Sequence, residues 1–436
     1  MSKSGPIPND RKSKRILAFA ILTGVGLSCG AIELGVLGAA DASTAVTFGG
    51  RIIGVTFLFS SLLALAAVFA MFAYSSGSRG PSYSGAIILA GVAIIGFMNL
   101  GLLVLQIEGG DYTPYLWAWI SLASWSCWTL FMLHRRGVWR RIPQPKKFAV
   151  GVLLSGVLAV ANFAYTQIYK PYAQSSKLEL TTTFGRASIT PDGKSVSLPL
   201  YMHMANKGEV SLYIAGSLYQ VTARKAHASK ARTTKDWLRD IDESQLDLRR
   251  DVNVEGYDLI QSGPVVSPGE WYDPGDSFTT TKIIEVPLGS AYDVLVAKSD
   301  AIILRKDKVT LSGDYQYSKR NSWGGDYGHS ADAPGWIDLG RKSEFIEYQA
   351  PITQNSAILK LIRGSKNLTV WWILDQPTRE SEFGPYVDGV IASINDEYRE
   401  PSASEFQLTT ERYGLAIFTS GTVQESFGMV KKSVTG

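Results

Sequence analysis

The chain has 436 residues, a formal net charge of +4 and a hydrophobic fraction of 45%. That charge is small, and much of the basic excess sits in short loops between apolar runs, which argues against nucleic acid as a partner. The two cysteines, Cys29 and Cys127, both fall inside apolar runs, so a disulfide framework is excluded and the polar half must build its own core.

Apolar residues are concentrated before residue 170, unlike the even spread of soluble domains. A basic tail over residues 1–15 carries Arg11, Lys12, Lys14 and Arg15, and is followed by hydrophobic runs at about 16–40, 52–74, 84–107, 115–133 and 148–169. Each approaches the ~20 residues that cross a ~30 Å hydrocarbon layer as helix, and none has the polar stripe of a soluble helix. A membrane α-helical bundle of about five spans is therefore expected over residues 16–170.

Lysine and arginine stay preferentially on the cytoplasmic side. Arg135, Arg136, Arg140, Arg141, Lys146 and Lys147 cluster between the fourth and fifth runs without an acid. The connection after the first run carries Asp41 and Arg51, and that after the third carries Glu108 and Asp111. A cytoplasmic N-terminus and five crossings then place everything beyond Tyr169 outside. Tyr112, Tyr115, Trp117 and Trp119, with Tyr165, Tyr169 and Tyr172, mark the outer interface. An alternative for the first run is a secretory signal cut near Ala40-Asp41-Ala42, which would leave four spans with unchanged directions.

Glu33 is the one ionisable residue well inside a run, and an intramembrane acid is by default a functional candidate; the plainer alternative places it nearer the outer interface or pairs it with a neighbour such as Asn99. The second, fourth and fifth runs add no acid or base to extend it into a conduction path. Gly26 and Gly30 form a small-xxx-small pair that serves either close approach within the same bundle or homo-oligomerisation.

Beyond Lys177 the period becomes alternating. Val196, Leu198, Leu200, Met202 and Met204 share one face of a strand, with a hairpin turn expected at Asn206-Lys207-Gly208. Further strands are expected at 210–214, 218–224, 280–286, 292–296, 301–305 and 308–311. This pattern predicts an immunoglobulin-like β-sandwich over 177–312, similar in architecture alone, with an inserted polar helix at 233–250. A small α+β unit is expected over 313–436: strands at 357–362 and 368–374, a helix at 385–397, and a final hairpin of 414–419 with 423–430 turning at Ser420-Gly421.

No phosphate-cradling loop, HExxH pair or GxSxG elbow is present, so no catalytic residue, metal or cofactor is assigned and the chain is not read as an enzyme. The most site-like segment is a glycine-rich loop bearing Trp323, Asp326, Tyr327, His329, Asp332 and Trp336, suited to stacking on a sugar or gripping a peptide, or else to covering a junction. The expected protein is thus a multi-pass component of a bacterial plasma membrane. It would present a β-rich module to an envelope protein or glycan. An envelope enzyme and a transporter or its accessory subunit are the alternatives.

Overall fold

The structure is a computed structural model, and it describes residues 10–45, 47–75, 84–109, 112–138, 174–228, 233–235, 252–322, 344–375, 386–394 and 402–435, with isolated helical positions at 151, 154, 158, 161, 162, 165, 169 and 238. The chain divides into two compact units, one of residues 1–173 with 353–365 and the other of 174–352 with 366–436.

The first unit contains four long helices: α1 (Asp10–Thr44), α2 (Phe48–Ser75), α3 (Ser84–Gly109) and α4 (Tyr115–Arg135). Their apolar stretches, Leu17–Thr44, Phe48–Phe72, Ser84–Ile107 and Tyr115–Arg135, are each long and apolar enough to cross a membrane. The residues of the expected fifth span, 148–169, lie largely outside the described ones, where Gly151, Leu154, Leu158, Ala161 and Asn162 are helical.

These helices are apolar on their outer faces as well as in their core, and bury several polar side chains within it. Leu17, Ile21, Val36, Phe59, Phe69 and Trp117 are exposed, while Thr23, Asn99, Gln106, Ser126 and Thr129 are fully buried. Water penalises such an apolar exterior; hydrocarbon does not.

Small residues set the helix approaches. A Cβ on Gly38 would lie 2.7 Å from Leu58 N, and one on Gly54 would lie 2.2 Å from Ala42 N, so α1 and α2 meet backbone to backbone. Ser61 Oγ seals the seam by donating to the Ala31 carbonyl at 2.7 Å. Gly26 faces Trp125 of α4 and Gly30 faces Ile95 of α3, so both serve packing inside this unit.

The same unit includes a fifth helix, α5 (Ala357–Arg363), where the sequence pattern predicts a strand. Its Ile358, Leu359 and Ile362 are buried in the core of the four long helices. Ser356 caps it, accepting from Leu359 N at 3.3 Å, and Gly364 at φ 69° ends it.

The second unit holds β1 (Leu178–Phe184), β2 (Ser188–Ile189), β3 (Ser195–Asn206), β4 (Leu212–Ala228), β5 (Val252–Gly263), β6 (Trp271–Tyr272), β7 (Ser277–Pro287), β8 (Val294–Arg305) and β9 (Val309–Leu311). It continues with β10 (Lys319–Asn321), β11 (Glu344–Gln354), β12 (Lys366–Asp375), β13 (Tyr386–Ser393), α6 (Ala403–Tyr413), β14 (Ala416–Thr419), β15 (Val423–Ser426) and α7 (Phe427–Thr435).

Antiparallel ladders form three sheets: β1, β2 and β7 around β3; β14 and β15, then β8, β4 and β5 with β6; and β10, β11, β12 and β13, with β9 also pairing β11. Leu198, Leu200, Met202 and Met204 of β3 share one core with Leu212, Val221, Leu295 and Ile303 of the second sheet. The opposite face of that second sheet, through Tyr213, Leu218, Ile302 and Leu304, shares another core with Tyr348, Val370 and Trp372 of the third. The middle sheet is therefore covered on both faces, which is why Ala301 to Leu304 are buried consecutively rather than alternately.

Several sequence expectations are corrected by this stack. The strands expected at 292–296 and 301–305 belong to the single strand β8, because Ser299, between them, is buried and bonds Thr182 Oγ1 at 2.8 Å. The Asn206-Lys207-Gly208 turn joins strands of different sheets rather than a hairpin. The Asn206 side chain builds that corner, donating to the Val210 and Tyr272 carbonyls at 2.8 and 3.0 Å. Residues 386–393 form strand β13, paired with β12, where a helix is expected. β14 and β15 are not a hairpin: Thr419 pairs Asp300 and Val423 pairs Ala297, so both continue along one edge of β8. The middle sheet thus draws strands from both sides of the boundary expected at 312. The helix expected at 233–250 falls largely outside the described residues, with Thr234, Lys235 and Leu238 helical.

Candidate functional site: a polar file inside the helical unit

Asn99 and Gln106 lie seven residues apart on α3, and Trp119 and Ser126 lie seven apart on α4, so each pair occupies one helix face. All four are buried, and they face the interior of the unit. Glu33 of α1 is hydrogen-bonded to the side chains of Asn99 and Trp119. Asn99 Nδ2 also donates to the Ile95 carbonyl at 3.0 Å, which fixes the amide on its own helix. Trp119, expected only as an interfacial aromatic, is 1% exposed and completes the group.

The file extends to either side. Gly96, one turn from Asn99, approaches Ser126 so closely that a Cβ there would lie 3.0 Å from Ser126 Cβ. Thr129 follows one turn further along α4, and Thr23 is buried on α1. Four oxygens in this file, Glu33 Oε2, Asn99 Oδ1, Ser126 Oγ and Thr129 Oγ1, are buried with no hydrogen-bond partner among the described residues, as is Thr23 Oγ1 elsewhere on α1. Each such group in hydrocarbon costs several kcal/mol by order of magnitude unless something polar meets it.

At one end of the unit the file meets α5. Gln106 Nε2 donates to Thr113 Oγ1 at 2.9 Å, and Thr113 Oγ1 donates to the Leu361 carbonyl at 2.7 Å. Asp41, fully buried at the end of α1, accepts from Ser356 Oγ at 2.7 Å and from the Ala357 amide. One helix is therefore held at its N-terminal end by a carboxylate and at its C-terminal end by a hydroxyl, the arrangement its dipole favours. At the opposite end, Arg136 Cζ stands 3.9 Å from the Phe19 ring centroid, and Arg135 Cζ stands 4.7 Å from that of Phe131. Arg140, Arg141, Lys146 and Lys147 lie outside the described residues, as do Trp323, Asp326, Tyr327, His329, Asp332 and Trp336.

In the second unit, the buried acid is Glu347 of β11, 1% exposed, with the half-exposed Arg320 guanidinium at 3.6 Å and Trp371 as its register partner on β12. Burial holds its carboxyl above the usual carboxylate range, offset in part by Arg320 and Trp371. An acid raised in this way keeps its proton in the fold after the unfolded chain has released it, so the fold loses stability as pH rises between the two values. Glu347→Gln removes that loss and retains an acceptor. The variant is expected to be at least as stable as the native chain near pH 7, with the advantage shrinking toward about pH 4. Thermal unfolding at both pH values checks it. A variant less stable at neutral pH would mean that attraction to Arg320 outweighs the cost of burying the charge.

Among the described residues no group of three or more His, Cys, Asp or Glu side chains could hold a metal ion. No family model and no curated protein matches the chain. Among solved structures, a protein described as ApaA from Bordetella pertussis is 14% identical, with 31% of this chain and 84% of that chain covered at a TM-score of 0.18. Spo0M, a sporulation control protein from Bacillus subtilis, is 10% identical, with 53% and 94% covered at a TM-score of 0.19. Superposition scores this low carry no argument about what this chain does.

Proposed function

We propose that the chain is a multi-pass protein of a bacterial plasma membrane whose β-rich part stands outside the cytoplasm as a binding module for an envelope protein or glycan. The observation that carries this reading is the seat of α5. It occupies the Asp41 and Thr113 end of the helical unit, and the chain enters it from β11 and leaves it into β12. Arg135 and Arg136 mark the other end, where positive charge favours the cytosol. Since α4 finishes at the basic end, one more crossing between residues 139 and 173 returns the chain to the outer side, in keeping with a fifth span at 148–169. The two facing sheets, built from β1 to β8 with β14 and β15 on one edge, support an immunoglobulin-like sandwich as the architecture of the module.

Reporter fusions at Gly436 test the orientation. An export-dependent phosphatase is expected to be active there and a cytosol-dependent fluorescent protein dark; the reverse pair would overturn the reading. For the ligand, crosslinking of the full chain in mild detergent is expected to recover an envelope component. Turnover of a cell-wall substrate by purified protein would replace binding with catalysis. The polar file supports a second reading, a transporter or its accessory subunit, because side chains from α1, α3 and α4 contribute to it.

A further inference from the structure

We propose that Glu33 and Asn99, with the Ser126 hydroxyl beside Gly96 one turn from Asn99, form a binding site for a monovalent alkali cation inside the helical unit. The inference goes beyond the binding-module reading, and neither depends on the other. It starts from a carboxyl group within a membrane-spanning stretch, Leu17–Thr44. A carboxylate there needs a counter-charge. Hydrogen bonds from Asn99 and Trp119 are the interactions that Glu33 makes, and no basic side chain among the described residues is paired with it. Asn99 and Trp119 lower the cost of the charge without neutralising it.

The chemistry of the free atoms narrows the ion. Glu33 Oε2, Asn99 Oδ1 and Ser126 Oγ are oxygens, buried and without partners among the described residues, and hard oxygen donors select hard cations. One formal negative charge matches one positive charge; a divalent ion would leave a net charge in the low-dielectric interior. Soft metals would need sulfur or imidazole, and Cys29 and Cys127 are both exposed, away from the interior. Thr129 continues the buried polar surface beyond Ser126, while Gln106 and Thr113 continue it toward α5.

The test uses the purified full chain in mild detergent, with thermal unfolding followed in sodium, potassium, lithium or choline chloride at constant ionic strength. An ion that binds only the folded state raises the melting temperature saturably. Sodium is expected to do so relative to choline. Glu33→Gln, which preserves shape and hydrogen bonding, is expected to abolish the sodium dependence. Asn99→Ala is expected to shift the apparent midpoint at least tenfold to higher sodium. Radioactive sodium binding by the native chain and by Glu33→Gln gives a readout independent of folding. Indistinguishable sodium and choline curves for the native chain, stabilisation by acid alone, or undiminished sodium binding in Glu33→Gln would each overturn the proposal. None of these results would alter the outcome of the Gly436 fusions.

Discussion

Replacing Gly54 by leucine is expected to separate α1 from α2 and to leave the helical unit misassembled, whereas leucine at Gly24 is expected to be tolerated. The contrast follows from what each new side chain would meet. At Gly24 a Cβ finds nothing within 4 Å. At Gly54 it would lie 2.2 Å from Ala42 N and 2.8 Å from Ala42 Cα, and backbone in a helix cannot move aside as a rotamer can. Overpacking of this kind costs about 3 kcal/mol or more. Closely approaching helices in lipid depend on such contacts, since no hydrophobic force drives them together. The damage should reach α5, because Asp41, its N-terminal partner, adjoins Ala42. Size-exclusion profile and melting temperature of the two variants in detergent check the prediction; equal behaviour would show that α1 and α2 can part without cost.

The helical part was legible because hydrocarbon imposes one rule on every residue of a span, and α1 to α4 overlap the apolar runs read from the sequence. The β-rich part was legible where a strand has one wet face, as in β3, whose buried residues alternate from Val196 to Met204. Where both faces are covered, the alternation vanishes. In β8 the polar Lys298, Ser299 and Asp300 resemble a turn, yet Ser299 is fully buried and its hydroxyl bonds Thr182, a partner more than a hundred positions earlier. The short apolar run Ala357 to Ile362 is ambiguous by period, and its signals are the flanking Ser356 and Gly364, a cap at each end. Residues 386–393 are governed by their ladder with β12, and the β-branched Val387, Val390 and Ile391 were the local hint that outweighed helical spacing. Of the polar file, Glu33 and Asn99 are visible as polar residues within greasy runs. Ser126 and Thr129 are not, because hydroxyls are common in spans and only the fold aims them inward.

Replacing Asp41 by alanine is expected to release α5 from its seat. The carboxylate accepts both the Ser356 hydroxyl and the Ala357 amide, and alanine would leave these two donors facing the space it vacates. Loss of hydrogen bonds to a charged acceptor costs about 3 kcal/mol for the pair. The remaining hold is the Thr113 bond to Leu361 and the burial of Ile358, Leu359 and Ile362. Asp41→Asn keeps one accepting oxygen and should fall between the two. Ser356→Ala, which removes the cap and one of the two donors, should cost about 1 kcal/mol. A cysteine at Ile362, fully buried in the native fold, reports the release in a background with Cys29 and Cys127 changed to serine. It should resist a water-soluble maleimide when Asp41 is intact and react at least tenfold faster in Asp41→Ala. Equal labelling rates would mean that apolar burial alone holds the helix. In that case a residue as polar as Asp41 in the first span would have no structural account, and its carboxylate would join Glu33 as a candidate for the chemistry of the interior.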